Sequence, residues 1–242
     1  MKTPLVPIDW PSIYAGKTGP NGPLPQRMAQ CTPDMKAAIQ AVSAALQAKG
    51  GKLILSDLFR SYQMQYDAHQ DFVTGRKKAN SPPPGGSLHE AGRAFDMDLG
   101  KIHISLADFW KLAAPIGLVP IIDQPVSGVS ESWHFECRGS HQRVYDYYKA
   151  GKGGNFDKPY KAMAASAILS VGVKVDMFGA NQDAAYVQSG LIRLGDTIGN
   201  MDGAIGANTK NALAARDIPA APIAAAVAGI DAALKAKFPG EF

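Results

Sequence analysis

The tract Ala79-Asn-Ser-Pro-Pro-Pro-Gly-Gly86 constrains this chain more than any other. Consecutive prolines lack the N–H groups that a helix interior or a central strand needs. The tract is therefore a loop, and it delivers the chain to Ser87-Leu-His89-Glu-Ala-Gly92-Arg-Ala-Phe-Asp96. Some 35 positions after Asp96 comes Glu131-Ser-Trp-His134-Phe-Glu136. Two histidines and several carboxylates, held in two short segments, can act together only if the fold lays those segments side by side.

The surrounding pattern suggests how. Thr32-Pro33-Asp34 is a helix start, with a hydroxyl at the cap, proline at the first position and an acid in the first turn. That helix runs over 33–49 and stops at Gly50-Gly51. Residues 52–56 read as a buried strand, 62–74 as a helix, 93–99 as a strand and 105–114 as a helix ended by Pro115. Strands over 118–122 and 133–137 follow, then a helix over 141–149. This order predicts an α+β domain whose small antiparallel sheet and helices hold the site.

Residues 1–30 are rich in Pro and Gly and read as an extended arm. Gly151-Lys-Gly-Gly-Asn155 reads as a linker. Beyond it residues 160–242 are Ala-rich, lack histidine and cysteine, and show helical periodicity near 160–171, 180–194, 207–216 and 221–237. The expected divisions are an arm over 1–30, a site-bearing domain over 31–155 and a small all-helical domain over 156–242.

Composition narrows the function classes. A 46% hydrophobic fraction suits a globular core. No apolar run approaches the ~20 residues of a membrane span, and the start has no secretory-signal pattern. The net charge of +4 is scattered apart from Arg76-Lys77-Lys78, with no basic-aromatic interleaving to suit nucleic acid. Cys31 and Cys137 have no metal-binding spacing, and pairing or two free buried thiols both stay open.

Residue types then point to a metal. A hydrolytic zinc site needs three nitrogen or carboxylate ligands, an open position for water, and a separate carboxylate to take that water's proton. The two segments hold all of these. Spacing does not assign them: on a regular strand His134 and Glu136 share a face while Glu131 points away, and Asp96 and Asp98 share a face. Glu136 and Asp98 are also candidates for orienting a ligand histidine. Glu90 reads as solvent-facing, and His69, His103 and His141 as structural or exposed.

The pattern Ser87-x-His89-x-x-Gly92-x-Ala94-x-Asp96, followed by Glu131-x-Trp133-His134, resembles the zinc D-Ala-D-Ala peptidase family. That family includes D,D-carboxypeptidases, D,D-dipeptidases and L-alanyl-D-glutamate endolysins. Its upstream Tyr-Arg-Ser segment has a counterpart in Phe59-Arg60-Ser61, with Phe59 in place of tyrosine and Gln65 following. The resemblance spans roughly residues 30–150. It implies one Zn2+ ion bound by His89, Asp96 and His134, Glu131 as general base, and Arg60 on the carbonyl oxygen or developing oxyanion. Ser87 and Gln65 are expected to touch substrate, with loop capping the alternative for Ser87.

Farther on, a leucine-bearing helix leads to Asp202-Gly203-Ala-Ile-Gly206-Ala-Asn-Thr209. This resembles the peptidoglycan-binding helical repeat and places Thr209 where it can help cap the next helix. After Leu213 the chain departs from that pattern. Together the resemblances imply a monomeric lytic enzyme cutting a peptidoglycan stem peptide, as a D-Ala-D-Ala carboxypeptidase or an L-Ala-D-Glu or D,D-endopeptidase. The helical domain would bind the polymer. The enzyme would reach the periplasm or wall by holin release or a secretion machine. The alternative is a non-catalytic, zinc-stabilised wall-binding module.

Overall fold

The computed structural model describes residues 2–16 and 21–242, so Met1 and residues 17–20 of the arm lie outside it. The described chain forms two compact units. One comprises Leu5–Pro83 and Ser87–Arg138; the other comprises residues 2–4, Pro84–Gly86 and Gly139–Phe242.

The first unit contains the short strands β1 (Val6–Pro7) and β2 (Gln30–Cys31), which pair antiparallel, and helix α1 (Pro33–Gln47). It continues through β3 (Leu55–Asp57), α2 (Tyr62–Val73), β4 (Ala94–Met97), α3 (Leu106–Ala113), β5 (Leu118–Pro120) and β6 (His134–Cys137). The four longer-range strands form an antiparallel sheet in the order β3-β4-β6-β5. The architecture is therefore mixed α and β with small antiparallel sheets, as the element order predicts.

Helix α1 buries Met35, Ile39, Val42 and Leu46, spaced at one-turn intervals along a single face. That face joins a core with Phe95 of β4, Phe135 of β6 and Phe109 of α3. Phe95 and Phe135 stack with centroids 5.9 Å apart, and Phe109 meets Phe135 edge-on at 4.9 Å. Burial of these rings fixes the β4–β6 register, because a one-residue slip would turn them out of the core. Thr32 sits at the helix cap as expected, but its hydroxyl donates to the Asp34 carboxylate at 2.6 Å rather than accepting a backbone N–H.

Cys31 and Cys137 are both buried and are not joined in a disulfide. Burial pushes the Cys31 thiol up to about 12, so it stays protonated at neutral pH.

The second unit is helical: α4 (Gln142–Lys149), α5 (Pro159–Ser170), α6 (Gln182–Leu194), α7 (Ala207–Ala214) and α8 (Ile223–Lys237). With α1–α3 they bring the described residues to eight α-helices, and none is long and apolar enough to cross a membrane. Helix α6 is its centre, buried from Ala184 through Leu194. Gly190 sits mid-helix because a Cβ there would lie 2.3 Å from Ile230 Cγ2 of α8. Gln188 reaches out of α6 to the Asp202-Gly203 turn. Its oxygen accepts from both backbone N–H groups, at 3.0 and 2.7 Å, and its amide donates to Asp202 at 2.8 Å. Thr209 is buried in the first turn of α7 but makes no cap; that helix starts from Gly206 without a side-chain cap bond.

A buried ion pair closes this unit. Arg193 of α6 donates to Glu241 at 2.7 Å, and Glu241 also accepts from the Ser140 N–H at 2.6 Å. Removing the anion strands a fully buried guanidinium. Glu241→Ala should lower stability by about 3 kcal/mol or more, read as a shifted urea midpoint. A midpoint equal to wild type would show the pair to be dispensable.

Candidate metal centre

The β-sheet register builds the site. Asp57 of β3 pairs with Asp96 of β4, and Asp96 pairs with His134 of β6, so the three lie in one row across three strands. Phe95 and Phe135 alternate with that row and are buried in the core on the other face. His89 comes from a 3-10 turn, Leu88–Ala91. The turn ends at Gly92, whose φ of 61° is left-handed and whose added Cβ would meet the Cys31 Cα at 2.9 Å. Only glycine suits that position, and it swings the chain from the turn into β4.

His89, Asp96 and His134 are all buried, and each offers one ligand atom within 4.8 Å of the others. His89 Nε2 lies 3.3 Å from His134 Nδ1 and 3.3 Å from Asp96 Oδ1, and His134 Nδ1 lies 2.9 Å from Asp96 Oδ1. Donors about 2.0–2.1 Å from a tetrahedral centre stand about 3.3 Å apart. The triangle therefore fits one face of a zinc tetrahedron.

The outer nitrogens are also engaged. His89 Nδ1 bonds the Leu58 carbonyl at 2.7 Å, and a carbonyl only accepts, so that nitrogen carries the proton. This leaves the Nε2 lone pair facing the site. His134 Nε2 donates to Glu136 Oε1 at 3.3 Å, and Arg138 holds the other Glu136 oxygen at 2.7 Å. Partners of this kind fix ring orientation and raise ligand basicity.

The electrostatics favour a cation at the centre. Burial opposes charge on Asp96, but the His89 and His134 imidazoles hold its carboxyl well below the usual carboxylate range. Burial also opposes charge on His134. Hydrogen bonds to Asp96 and Glu136 outweigh it and push the imidazole up to about 10. His134 Nδ1 and Asp96 Oδ1, 2.9 Å apart, form one edge of the triangle, and a metal ion bound to both would replace the proton between them.

Glu131 lies just before β6, with φ of 68°. That left-handed conformation is uncommon for a non-glycine residue and costs about 1–3 kcal/mol. Its carbonyl accepts from the His134 N–H at 3.1 Å, closing a tight turn. The strand alternation that would point Glu131 away does not apply to a residue in this turn. Its carboxylate accepts from the Ser130 hydroxyl at 3.2 Å, and its charge acts on Arg60.

Arg60 is buried and precedes α2, which Ser61 caps by accepting from the Met64 N–H. Its backbone N–H donates to the His89 carbonyl at 3.1 Å. Burial works against its charge, but Asp57 and then Asp96 outweigh that and raise its proton affinity. Nε and Nη2 reach Asp57 at 2.6 Å, Nη1 donates to Gln65 at 3.1 Å, and Nη2 stands 3.6 Å from Asp96 Oδ2. Five N–H donors exceed these partners, so the guanidinium keeps hydrogen-bonding capacity in reserve. Asp57, three residues before Arg60, is the site member that reading the sequence missed.

Other expected residues have different surroundings. Gln65 is fully buried, accepting from Arg60 and donating to Ser81 Oγ and the Pro82 carbonyl, so it braces Arg60 and the loop. Ser87 caps the 3-10 turn, and Glu90 closes the capping box by accepting from the Ser87 N–H at 3.3 Å. Glu90 is thus buried rather than solvent-facing. Asp98 accepts from the Gly100 N–H at 2.8 Å and makes no bond to either ligand histidine. Trp133 is half-buried; His69 bonds Ser81, His103 bonds Gly50, and His141 bonds Ser166.

The chain matches no family model and no curated protein. Solved structures to which it is similar over about half its length include two carboxypeptidases. An LdcB LD-carboxypeptidase, whose structure is described as revealing the basis of peptidoglycan recognition, is 28% identical. That likeness covers 50% of this chain and 71% of that one, at a TM-score of 0.36. The L,D-carboxypeptidase DacB from Streptococcus pneumonia is 25% identical over 51% of this chain and 73% of that one, at a TM-score of 0.35. Superposition at that level carries no functional argument, which rests on the donor geometry.

Two outcomes follow from this geometry. A metal ion must displace the His134 proton, so zinc affinity should fall as pH drops from about 8 to 6, by up to tenfold per unit for each proton released. Competition with a chelator across that range measures it, and a flat profile would contradict the assignment. Glu136→Gln keeps the shape but removes the charge behind His134, and should weaken zinc binding about 10- to 100-fold.

Proposed function

We propose that this chain is a zinc-dependent peptidase that hydrolyses a stem-peptide amide bond of peptidoglycan. The bond is the terminal D-Ala-D-Ala bond or an internal one such as L-Ala-D-Glu. The observation that carries the zinc assignment is the His89–Asp96–His134 triangle, with edges of 2.9 to 3.3 Å. Support for hydrolysis comes from Arg60, 3.6 Å from Asp96, and from Glu131, whose charge acts on Arg60, and for the substrate class from the motif resemblance.

His89, Asp96 and His134 would hold the zinc ion, which when bound would supply a water acidic enough to attack near neutral pH and a Lewis acid for the scissile carbonyl. Glu131 acts as general base: it accepts the water's proton and returns it to the departing amine. Arg60 offers its guanidinium charge to the carbonyl oxygen as negative charge develops there. Asp57 and Gln65 prevent it from following that charge, so the stabilisation needs little reorganisation. Ser87 and Gln65 act by holding His89 and Arg60 rather than by gripping substrate. The helical unit is assigned to peptidoglycan binding on its Asp-Gly-x-x-Gly-x-x-Thr segment.

Digestion of purified peptidoglycan, read by mass spectrometry, tests the reaction. Free D-Ala would identify a carboxypeptidase, and new amino termini on disaccharide-linked peptides an endopeptidase. Adsorption with no released fragments would give the non-catalytic module instead. Glu131→Gln should lower the rate about 10²- to 10⁴-fold with zinc content unchanged. Full activity in that variant would overturn the base assignment.

A further inference from the structure

The N-terminal arm is stitched along the segment that leads into Arg60. Ile13 N–H donates to the Leu55 carbonyl at 2.9 Å, and Leu55 N–H to the Pro11 carbonyl at 3.0 Å. Ser12 pairs with Leu55 as an isolated parallel bridge. The Tyr14 hydroxyl donates to the Ser56 carbonyl at 3.1 Å. Farther along the arm, Phe59 N–H donates to the Met28 carbonyl at 3.2 Å, and Met28 closes a turn on the Pro25 carbonyl at 2.9 Å. That turn carries Arg27, which is exposed, one residue from the junction with Phe59.

Two consequences meet at one place. Tyr14 is 37% exposed, so much of its ring is open to a ligand although its hydroxyl is tied down. Ser56 adjoins Asp57 and Phe59 adjoins Arg60, so the bond from Tyr14 and the bond to Met28 set both parts of the arm beside the segment that carries Asp57 and Arg60. Asp57 is already committed to Arg60, at 2.6 Å. Arg27 has no ion-pair partner among the described residues.

We propose that Tyr14 and Arg27 form the arm-side wall of the substrate cleft, and that Arg27 recognises a carboxylate of the bound peptide. The proposal rests on the peptidase reading. A guanidinium presents a planar fork that matches a carboxylate, and Arg60, engaged by Asp57 and Gln65, is less able to do so. The Tyr14 ring supplies a flat apolar face with few rotatable bonds. An exposed charge pair is worth little in water, so the expected discrimination is about fivefold and falls with added salt.

The test uses the full-length, zinc-loaded Glu131→Gln chain as a non-hydrolysing trap. The probes are stem-type peptides containing L-Ala-D-Glu and D-Ala-D-Ala, prepared with carboxylates free or amidated, and binding is read by calorimetry. With Arg27 present the free-carboxylate peptide should bind about fivefold tighter than the amide. Adding Arg27→Ala should bring both peptides to the affinity of the amide. Discrimination that survives Arg27→Ala, or that is missing with Arg27 in place, overturns the subsite while leaving the peptidase intact. Failure to bind either peptide, together with no hydrolysis of either by the wild-type chain, overturns the peptidase reading and the subsite with it.

Discussion

The register between β4 and β6 is the constraint on which the site depends. Phe95 pairs with Phe135 on the buried face, and the same register sets Asp96 opposite His134 on the other. Fully burying an aromatic ring stabilises by about 1.5–3 kcal/mol, and here two rings on one face resist any slip. That matters because the polar face gains little unaided. Three ligand atoms stand about 3 Å apart, an arrangement that needs a proton or a cation between them. The core holds them in place and the sheet supplies their spacing.

The polar surroundings are layered outward from that row. His89 leans on the Leu58 carbonyl, His134 on Glu136, and Glu136 on Arg138. Asp96 faces Arg60, which Asp57 and Gln65 hold. Negative charge at the centre is thereby flanked by arginines one step out on two sides. Each of these carboxylates has a charged partner, which offsets the cost of removing it from water.

Much of this was legible in the sequence. Periodicity, caps and turn residues located α1, α2, α3 and the strands bearing His134 and Asp96 to within a few residues; α1 and α3 each bury one apolar face. The Pro/Gly tract and Gly92 marked the turn that presents His89. Features set by tertiary partners were not legible. Glu131 escapes strand alternation through a left-handed turn that no period describes. Glu90 is buried because it answers the Ser87 N–H, and Asp98 turns aside to cap Gly100. Gln65 is buried against a loop 16 residues away. Asp57 stands out only once β3 is aligned with β4. The arm's contacts with Leu55, Ser56 and Phe59 are equally non-local, and a Pro/Gly-rich composition gives no hint of them.

The central claim is a metal centre made of two imidazoles and one carboxylate. Zinc-edge X-ray absorption of the purified chain, combined with metal analysis, tests it directly. The account predicts one zinc per chain, nitrogen and oxygen ligands at about 2.0–2.1 Å, and histidine scattering beyond them, all lost in a His89→Ala, His134→Ala double variant. Sulfur ligation at about 2.3 Å, or zinc retained by the double variant, would contradict it.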